Sequence, residues 1–358
     1  IYAVYRVLRE ELGHNWQAWP SEYLNPNKKW IENYWNSKLE QVYYFAWVQK
    51  ECEKQLRESS LALDALGIKL KGDIPILISE DSADAWGNSE IFSLADRAGA
   101  PPDMFCQSGQ NWGFPCYQWD KLKSLNYSWW RERLDRASLF YHAFRIDHVL
   151  GFFRIWQIPE GNRTGMLGRF VPENAITPNL IASHGITPET ANWLATPSFS
   201  LQEIQDKLGD IDLSPWFESI NGEWLFHPNI QNENQLLENA PEELQGELLQ
   251  LFWDRIFLQV PQEDNSFHPF WTWYNSSKLN KMGADLKEKV EILIHKLESS
   301  QEDLWSNTGH QLLEMMSKQT NMLVCAEDLG VVPNCVPEVL AGLNILSLKI
   351  ERWARDYT

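Results

Sequence analysis

Two short apolar segments that end abruptly in charged residues constrain the fold of this chain more than any other feature. Residues 139–144 (LFYHAF) lead into Arg145 and Asp147, and residues 322–326 (MLVCA) lead into Glu327. Each segment is typical of a short buried strand. An ionised side chain loses its hydration in a sheet core unless it is paired. Charges at the carboxyl ends of buried strands therefore indicate either a catalytic site of the barrel type or a structural ion pair formed by Arg145.

Composition limits the classes of protein to which the chain can belong. Hydrophobic residues make up 44% of its 358 residues, which is typical of a globular protein, and the net charge of −18 argues against nucleic acid or an anionic membrane as a partner. No apolar run reaches the length of a membrane span. The five cysteines are scattered without a Cys-x-x-Cys pair, which favours reduced thiols in a cytoplasmic protein. No spacing of His and Asp suggests a metal site, so we predict no metal and no cofactor.

The order of apolar and amphipathic segments predicts strands that alternate with helices. Helical patterns occur at 1–13, 28–66, 128–137, 309–318 and 335–340, and strand patterns occur at 71–78, before Arg145, before Glu327 and at 345–350. This alternation indicates a parallel sheet. No Gly-x-Gly-x-x-Gly loop follows a strand, and the charges follow several different strands, so a (β/α)8 barrel fits better than a doubly wound sheet.

Both ends of the chain read as interrupted. The sequence begins at Ile1 inside a helical pattern and stops at Thr358 just after a strand pattern. We therefore expect a fragment that contains an incomplete (β/α)8 barrel and is inactive by itself.

Five blocks of sequence resemble the 4-α-glucanotransferases of glycoside hydrolase family 77, which include the amylomaltases and disproportionating enzymes. The blocks are GDIPI at 72–76 with EDSADAW at 80–86, PPDMF at 101–105 with GQNWGFP at 109–115, WWRER at 129–133, RIDH at 145–148 with GF at 151–152, and AEDLG at 326–330. They cover roughly a quarter of the chain in the order in which the family has them.

The resemblance implies roles for the charged residues at the two strand ends. Asp147 would be the nucleophile and Glu327 the acid/base of a retaining double displacement, the chemistry that two such carboxylates can perform. Arg145 lies two residues before Asp147, so both side chains point to one face of a strand, where the cation can align the carboxylate. His148 matches the family motif, and either a contact with the donor sugar or a structural hydrogen bond would explain it.

Further residues are assigned to the binding cleft by the same resemblance. The segment 99–115 resembles a mobile cover over the acceptor side, in which Phe105 and Trp112 would exclude water from the intermediate. Trp86 has weaker motif support for the cleft, and most of the 19 tryptophans are expected to pack in the core. Asp81 follows an earlier strand and is expected to support the site rather than to act in catalysis.

The long separation between Asp147 and Glu327 predicts an insertion. We expect residues 1–170 and 306–358 to belong to the barrel, and 171–305 to form a large, mainly helical insertion between the nucleophile and acid/base strands. A similar insertion marks the branch that resembles the plant cytosolic disproportionating enzyme. The aromatic cluster at 267–274 is either a sugar platform or, as we favour, packing of the insertion.

The resemblance implies a 4-α-glucanotransferase, and the scattered cysteines favour a cytoplasmic location. Its partners would be maltose, malto-oligosaccharides or a branched α-glucan, with transfer of a glucan segment or glucose to an acceptor. Two alternatives stay open, a retaining hydrolase of the same clan and a catalytically silent glucan-binding protein. The sequence does not indicate an oligomeric state.

Overall fold

The protein is a mixed α/β chain that divides into two compact units. The computed structural model describes residues 1–260, 263 and 265–353, so the chain end at 354–358, on which the expectation of a fragment partly rests, lies outside the described residues. Unit 1 comprises Ile1–Asp96, Gly113–Ile155 and Trp305–Thr358, and unit 2 comprises Arg97–Trp112 and Trp156–Leu304.

Strands occur in both units. In chain order they are β1 (Lys71–Pro75), β2 (Phe92–Ala100), β3 (Gln110–Tyr117), β4 (Ala143–Asp147), β5 (Ile155–Ile158), β6 (Arg169–Val171), β7 (Ser198–Phe199), β8 (Phe217–Ile220), β9 (Glu223–Phe226), β10 (Phe257–Gln259), β11 (Phe267–Pro269), β12 (Leu323–Ala326) and β13 (Leu346–Ser347).

Helices connect and cover these strands. In chain order they are α1 (Tyr2–Leu12), α2 (Lys28–Ser37), α3 (Leu39–Ala65), α4 (Ala83–Gly87), α5 (Trp119–Ser124), α6 (Ser128–Ala137), α7 (Pro178–Ser183), α8 (Pro188–Ala195), α9 (Leu201–Leu208), α10 (Glu233–Leu237), α11 (Glu242–Trp253), α12 (Lys278–Lys281), α13 (Ala284–Gln319) and α14 (Val336–Gly342). Within the described ranges, no helix is both long and apolar enough to cross a membrane.

Unit 1 is built on a four-stranded parallel sheet in the order β1-β4-β12-β13. Alternation along the strands gives this sheet two different faces. One face buries apolar side chains such as Ile74, Phe144, Ile146 and Val324, while the alternate positions on β4 carry Arg145 and Asp147. The sheet therefore has one packed face and one charged face, and the parallel arrangement expected from the sequence is present.

The amino-terminal helices of unit 1 add a second apolar cluster. Helix α1 presents Val4, Val7 and Leu8 to this cluster with almost no exposed surface, because apolar residues recur on one side of the helix. Helix α2 is capped by Asn27, whose side chain accepts a hydrogen bond from the amide of Trp30.

Three further sheets are present, and unit 2 contains two apolar cores. Strands are ordered β3-β2-β5-β6 in one sheet, β7-β9-β8 in the second and β10-β11 in the third. One core includes Ile204, Leu236 and Leu248, all completely buried, and the other includes Ile294 and the aromatic Phe267. The burial of Phe267 agrees with the packing alternative for this part of the 267–274 cluster.

Several predicted elements differ from the observed ones. The loop expected at 99–115 is irregular only at 101–109, because β2 and β3 continue into it from both sides. The strand expected at 345–350 is only the two-residue β13, and the helix expected at 309–318 is the last part of the much longer α13.

Candidate active site

The two predicted catalytic carboxylates lie side by side at the carboxyl ends of neighbouring parallel strands. Ala326 on β12 pairs with Ile146 on β4, and the next positions are Glu327 and Asp147. The ladder continues past the end of β12, because the amide of Glu327 donates to the carbonyl of Ile146 at 2.9 Å. Register partners in a parallel sheet point to the same face, so the sheet directs both carboxylates to its charged face.

Glu327 is fixed by backbone amides from two turns. The amide of His148 donates to Glu327 Oε2 at 2.9 Å, and the amide of Leu329 donates to Oε1 at 3.0 Å. The backbone of His148 has a φ of 53°, in the left-handed region that non-glycine residues rarely adopt. The turn after β4 therefore helps to fix the position of the Glu327 carboxylate, which follows β12.

Arg145 connects Asp147 to a third carboxylate, Asp73. Its Nη2 donates to Asp147 Oδ1 at 2.6 Å, and its Nε donates to Asp73 Oδ1 at 2.9 Å. Asp73 lies on β1 directly beside Arg145 in the register. The hydrogen bond to Asp73, with the further charges of Asp147 and Glu327, raises the pKa of Arg145. The guanidinium thus orients Asp147 by a short charge-assisted hydrogen bond, as the spacing on one strand predicts.

His148 is half-buried beside the carboxylates. Burial lowers the pKa of its imidazole, although the charges of Glu327 and Asp147 oppose the shift. The ring lies close to Gly151, where an added Cβ would come within 3.3 Å of His148 Cδ2 and 2.7 Å of Ile76 Cδ1. The absence of a side chain at Gly151 therefore makes room for the imidazole.

The Asp81 carboxylate accepts hydrogen bonds from two side chains of helix α1. Its Oδ1 accepts a hydrogen bond from the Tyr5 hydroxyl at 2.6 Å, and its Oδ2 is 2.9 Å from Arg9 Nη2. Burial and the neighbouring Asp81 carboxylate raise the pKa of Tyr5. Both carboxylate oxygens thus anchor α1, and a role of Asp81 in supporting the site stays a prediction.

The prediction that Trp86 contacts substrate is wrong. Its side chain has no exposed surface, and its indole Nε1 donates to the carbonyl of Tyr23 at 2.7 Å. The rings of Tyr5, Trp19 and Trp30 pack around it. A ring enclosed in this way offers no face to a sugar, so Trp86 is a packing residue.

Phe105 and Trp112 belong to unit 2. Phe105 is 86% exposed in the irregular segment 101–109, where its amide donates to Asp103 Oδ1 at 2.8 Å. The indole of Trp112, on β3, donates to Gln110 Oε1 at 3.1 Å. The roles in the acceptor cleft that the resemblance implies for these two residues stay predictions.

Within the described ranges, no group of three or more His, Cys, Asp or Glu side chains has an arrangement that could hold a metal ion.

Comparison with known protein families identifies the family of the chain. The model of glycoside hydrolase family 77, described as 4-alpha-glucanotransferase, matches residues 1–358. The chain belongs to this family.

Curated 4-alpha-glucanotransferases from plants and bacteria are similar to the chain. The rice protein 4-alpha-glucanotransferase DPE2 is 29% identical over 328 residues, which are 87% of this chain and 34% of the rice protein. The Thermus thermophilus 4-alpha-glucanotransferase is 32% identical over 58% of this chain and 43% of its own length. That of Chlamydia pneumoniae is 43% identical over 38% of this chain and 25% of its own length. The chain therefore spans less than half the length of each of these relatives.

A solved structure of an amylomaltase is also similar. The amylomaltase from Streptococcus agalactiae, determined in complex with acarbose, is 28% identical, with a TM-score of 0.45. The match covers 59% of this chain and 40% of the amylomaltase.

Sequence reasoning did not single out Asp73 as a residue of this site. Asp73 occurs in one of the family-like blocks, but its relation to Arg145 depends on the pairing of β1 with β4. The amides of His148 and Leu329 were missed for a similar reason, because backbone donors carry no side-chain signal in a sequence.

Proposed function

We propose that the protein is a 4-α-glucanotransferase that acts by retaining double displacement. The observation that carries this proposal is that Asp147 and Glu327 lie side by side at the carboxyl ends of two paired parallel strands. Strands in a sheet are about 4.8 Å apart. Retaining enzymes have their two carboxyl groups about 5–5.5 Å apart.

In the first displacement, an Asp147 oxygen attacks the anomeric carbon of the donor sugar, and the glycosidic C–O bond breaks. Glu327 gives its proton to the leaving oxygen, and the sugar is then bound covalently to Asp147. Arg145 keeps the attacking carboxylate in position through its hydrogen bond to Oδ1. The amides of His148 and Leu329 hold the Glu327 carboxyl toward the leaving group.

In the second displacement, a hydroxyl of an acceptor glucan attacks the same anomeric carbon from the face that the leaving group vacated. Glu327 takes the proton of that hydroxyl, and the bond to Asp147 breaks. The anomeric configuration is retained because it has been inverted twice. Maltose, malto-oligosaccharides and branched α-glucans are the donors and acceptors that family membership suggests.

We also propose that the parallel sheet of unit 1 is part of a (β/α)8 barrel, with 171–305 as an insertion between the nucleophile and acid/base strands. The adjacency of β4 and β12, despite the many residues between them, supports this arrangement. Unit 2, whose main segment is Trp156–Leu304, is consistent with a separate substructure in this part of the chain. The scattered cysteines favour a cytoplasmic location.

Product analysis with maltose tests the proposed activity. Transfer predicts glucose and maltotriose as the first products, released by the full-length protein without added cofactor. Glucose alone would identify a hydrolase, in which water takes the place of the acceptor. No conversion of maltose or of longer malto-oligosaccharides would contradict the proposal and favour a silent glucan-binding protein.

A further inference from the structure

The segment of residues 327–332, which begins with Glu327, is irregular chain between β12 and α14. The side chains of Val331 and Val332 are 43% and 39% exposed, so apolar packing does little to hold the far end of this segment. Gly330 has a φ of 113°, which other residues rarely adopt, and the chain can therefore change direction there. A segment of this kind depends on hydrogen bonds for a fixed position.

Arg154 supplies such a hydrogen bond to the far end of the segment. Its Nη2 donates to the carbonyl of Val331 at 3.1 Å, and because Arg154 is only 6% exposed this bond is partly shielded from water. The near end is held by the turn after β4, where the amide of Val149 donates to the carbonyl of Glu327 at 2.9 Å. Both ends of the segment are thus fixed by the stretch of chain that follows β4, and all of these residues belong to unit 1.

The Arg154 side chain is held in place by helix α13. Its guanidinium carbon lies 4.1 Å from the centroid of the Trp305 ring, a distance suited to a cation–π interaction. The preceding residue, Phe153, is fully buried and packs on the same helix at Gly309, where an added Cβ would come within 2.2 Å of Phe153 Cδ1. Trp305 and Gly309 are four residues apart, so they lie on one face of α13. Two consecutive side chains thus dock on one helix face, which gives the guanidinium a defined direction.

The Glu327 carboxyl is bound by donors from the two stretches of chain that Arg154 joins. The amide of His148 donates from the turn after β4, and the amide of Leu329 donates from within the segment 327–332. The Leu329 amide is only two residues from the carbonyl that Arg154 holds. A displacement of that carbonyl would therefore move one of the two donors and change the direction of the carboxyl.

We propose that Arg154 is a positioning residue for the acid/base function of Glu327. It acts through the backbone: the guanidinium fixes the carbonyl of Val331, this fixes the amide of Leu329, and that amide fixes the carboxyl. A second arginine thus serves the acid/base, as Arg145 serves the nucleophile. The inference rests on the proposed function, because that function gives Glu327 the task of proton transfer.

The test compares two reactions of Arg154→Met in the full-length protein. Methionine keeps apolar contact with the Trp305 ring but has no donor for the carbonyl. Disproportionation of maltose needs proton transfer in both displacements. The reaction of α-glucosyl fluoride with azide needs none, because fluoride leaves without a proton and azide attacks the glucosyl–enzyme as an anion. Arg57→Met is the matched control, since Arg57 is exposed on α3.

We expect kcat for maltose to fall about tenfold in Arg154→Met with little change in KM, while the fluoride–azide reaction keeps its rate. Arg57→Met should leave both reactions unchanged. Arg154→Lys retains a cation beside the Trp305 ring and should recover part of the loss. If Arg154→Met does not fold, Arg154→Lys carries the comparison, and its maltose turnover should still fall more than its fluoride–azide rate.

Two kinetic outcomes would overturn the inference. Equal losses in the maltose and fluoride–azide reactions would show that Arg154 maintains the site as a whole rather than the acid/base. A rise in KM at constant kcat would show that it contributes to substrate binding.

Amide hydrogen exchange separates this inference from the proposed function. Loss of the anchor should raise the exchange rate of the amides in the segment 327–332 about tenfold in Arg154→Met, whether or not the protein converts maltose. Unchanged exchange there would overturn the role of Arg154 alone. Faster exchange in Arg154→Met, with no conversion of maltose or of longer malto-oligosaccharides by the unsubstituted protein, would contradict the proposed activity and leave the anchoring supported.

Discussion

The backbone amide of His148 donates a hydrogen bond of 2.9 Å to the side chain of Glu327, which lies at the end of the neighbouring strand. His148 directly follows Asp147, so one turn connects the proposed nucleophile to the proposed acid/base. His148 itself has a left-handed backbone, with a φ of 53°. The relative position of the two carboxylates thus depends on a single turn as well as on strand pairing.

Replacement of the proposed nucleophile should remove transfer. Asp147→Asn keeps the shape of the side chain but cannot form the covalent intermediate, so we expect the rate of glucose release from maltose to fall on the order of a thousandfold or more. The matched control is Asp120→Asn, which changes an exposed acid on α5. Near-normal turnover by Asp147→Asn would contradict the assignment.

Glu327→Gln should reduce stability as well as activity. Glu327 uses both carboxylate oxygens to accept from backbone amides, and a glutamine would turn an NH₂ group toward one of them. One amide would then lose its acceptor, at a cost of about 1–3 kcal/mol in the free energy of unfolding. Urea denaturation of the two proteins measures this difference, and equal midpoints would show that the two hydrogen bonds do not stabilise the fold.

Asp73 should act as a positioning residue through Arg145. Asp73→Asn weakens the hydrogen bond that holds the guanidinium, so Asp147 becomes less well aligned and kcat should fall about tenfold with little change in KM. Because both residues act through one network, Asp73→Asn and Arg145→Lys together should cost less than the product of the two separate effects. A rise in KM at constant kcat would instead indicate that Asp73 binds substrate.

Stability should fall as the pH decreases because of a buried histidine in unit 2. Burial, with a smaller effect from Arg169, lowers the pKa of His268 from 6.5 to about 4, although Glu173 Oε2 lies 3.4 Å from its Nδ1. The folded state therefore holds His268 neutral. The contribution of this pKa shift to the free energy of unfolding is fully present above pH 6.5 and is lost as the pH falls toward 4.

The expected loss is about 3 kcal/mol across this window. His268→Gln lacks the titrating group, so its free energy of unfolding should depend less steeply on pH between 6.5 and 4. Urea titrations at several pH values compare the two proteins. Equal pH dependence would show that His268 does not titrate differently in the folded and unfolded states.

Local sequence patterns predicted the two strands that lead to Asp147 and Glu327, because charge at the end of an apolar segment is visible in the sequence. The positions of Arg145 and Asp147 on one strand face follow from their spacing alone, and their hydrogen bond confirms it. Helix α6 was also predicted at 128–137, since its amphipathic pattern is regular.

Features that depend on contacts between residues distant in the sequence could not be predicted in the same way. The proximity of Asp73 to Arg145 requires the register of β1 with β4, which the sequence does not state. Trp86 was assigned to the cleft because its motif resembles the family, but its burial depends on aromatic residues of the amino-terminal helices that pack around it. The boundary of the irregular segment 101–109 depends on how far β2 and β3 extend.

Direct detection of the covalent intermediate tests the central claim, that Asp147 is the nucleophile and Glu327 the acid/base. In the Glu327→Gln protein, α-glucosyl fluoride can still react, because fluoride leaves without a proton, whereas the second displacement lacks its base. Mass spectrometry of the quenched, digested protein should then find one anhydroglucose unit on the peptide that contains Asp147. An adduct on another residue, or no adduct while fluoride is released, would contradict the account.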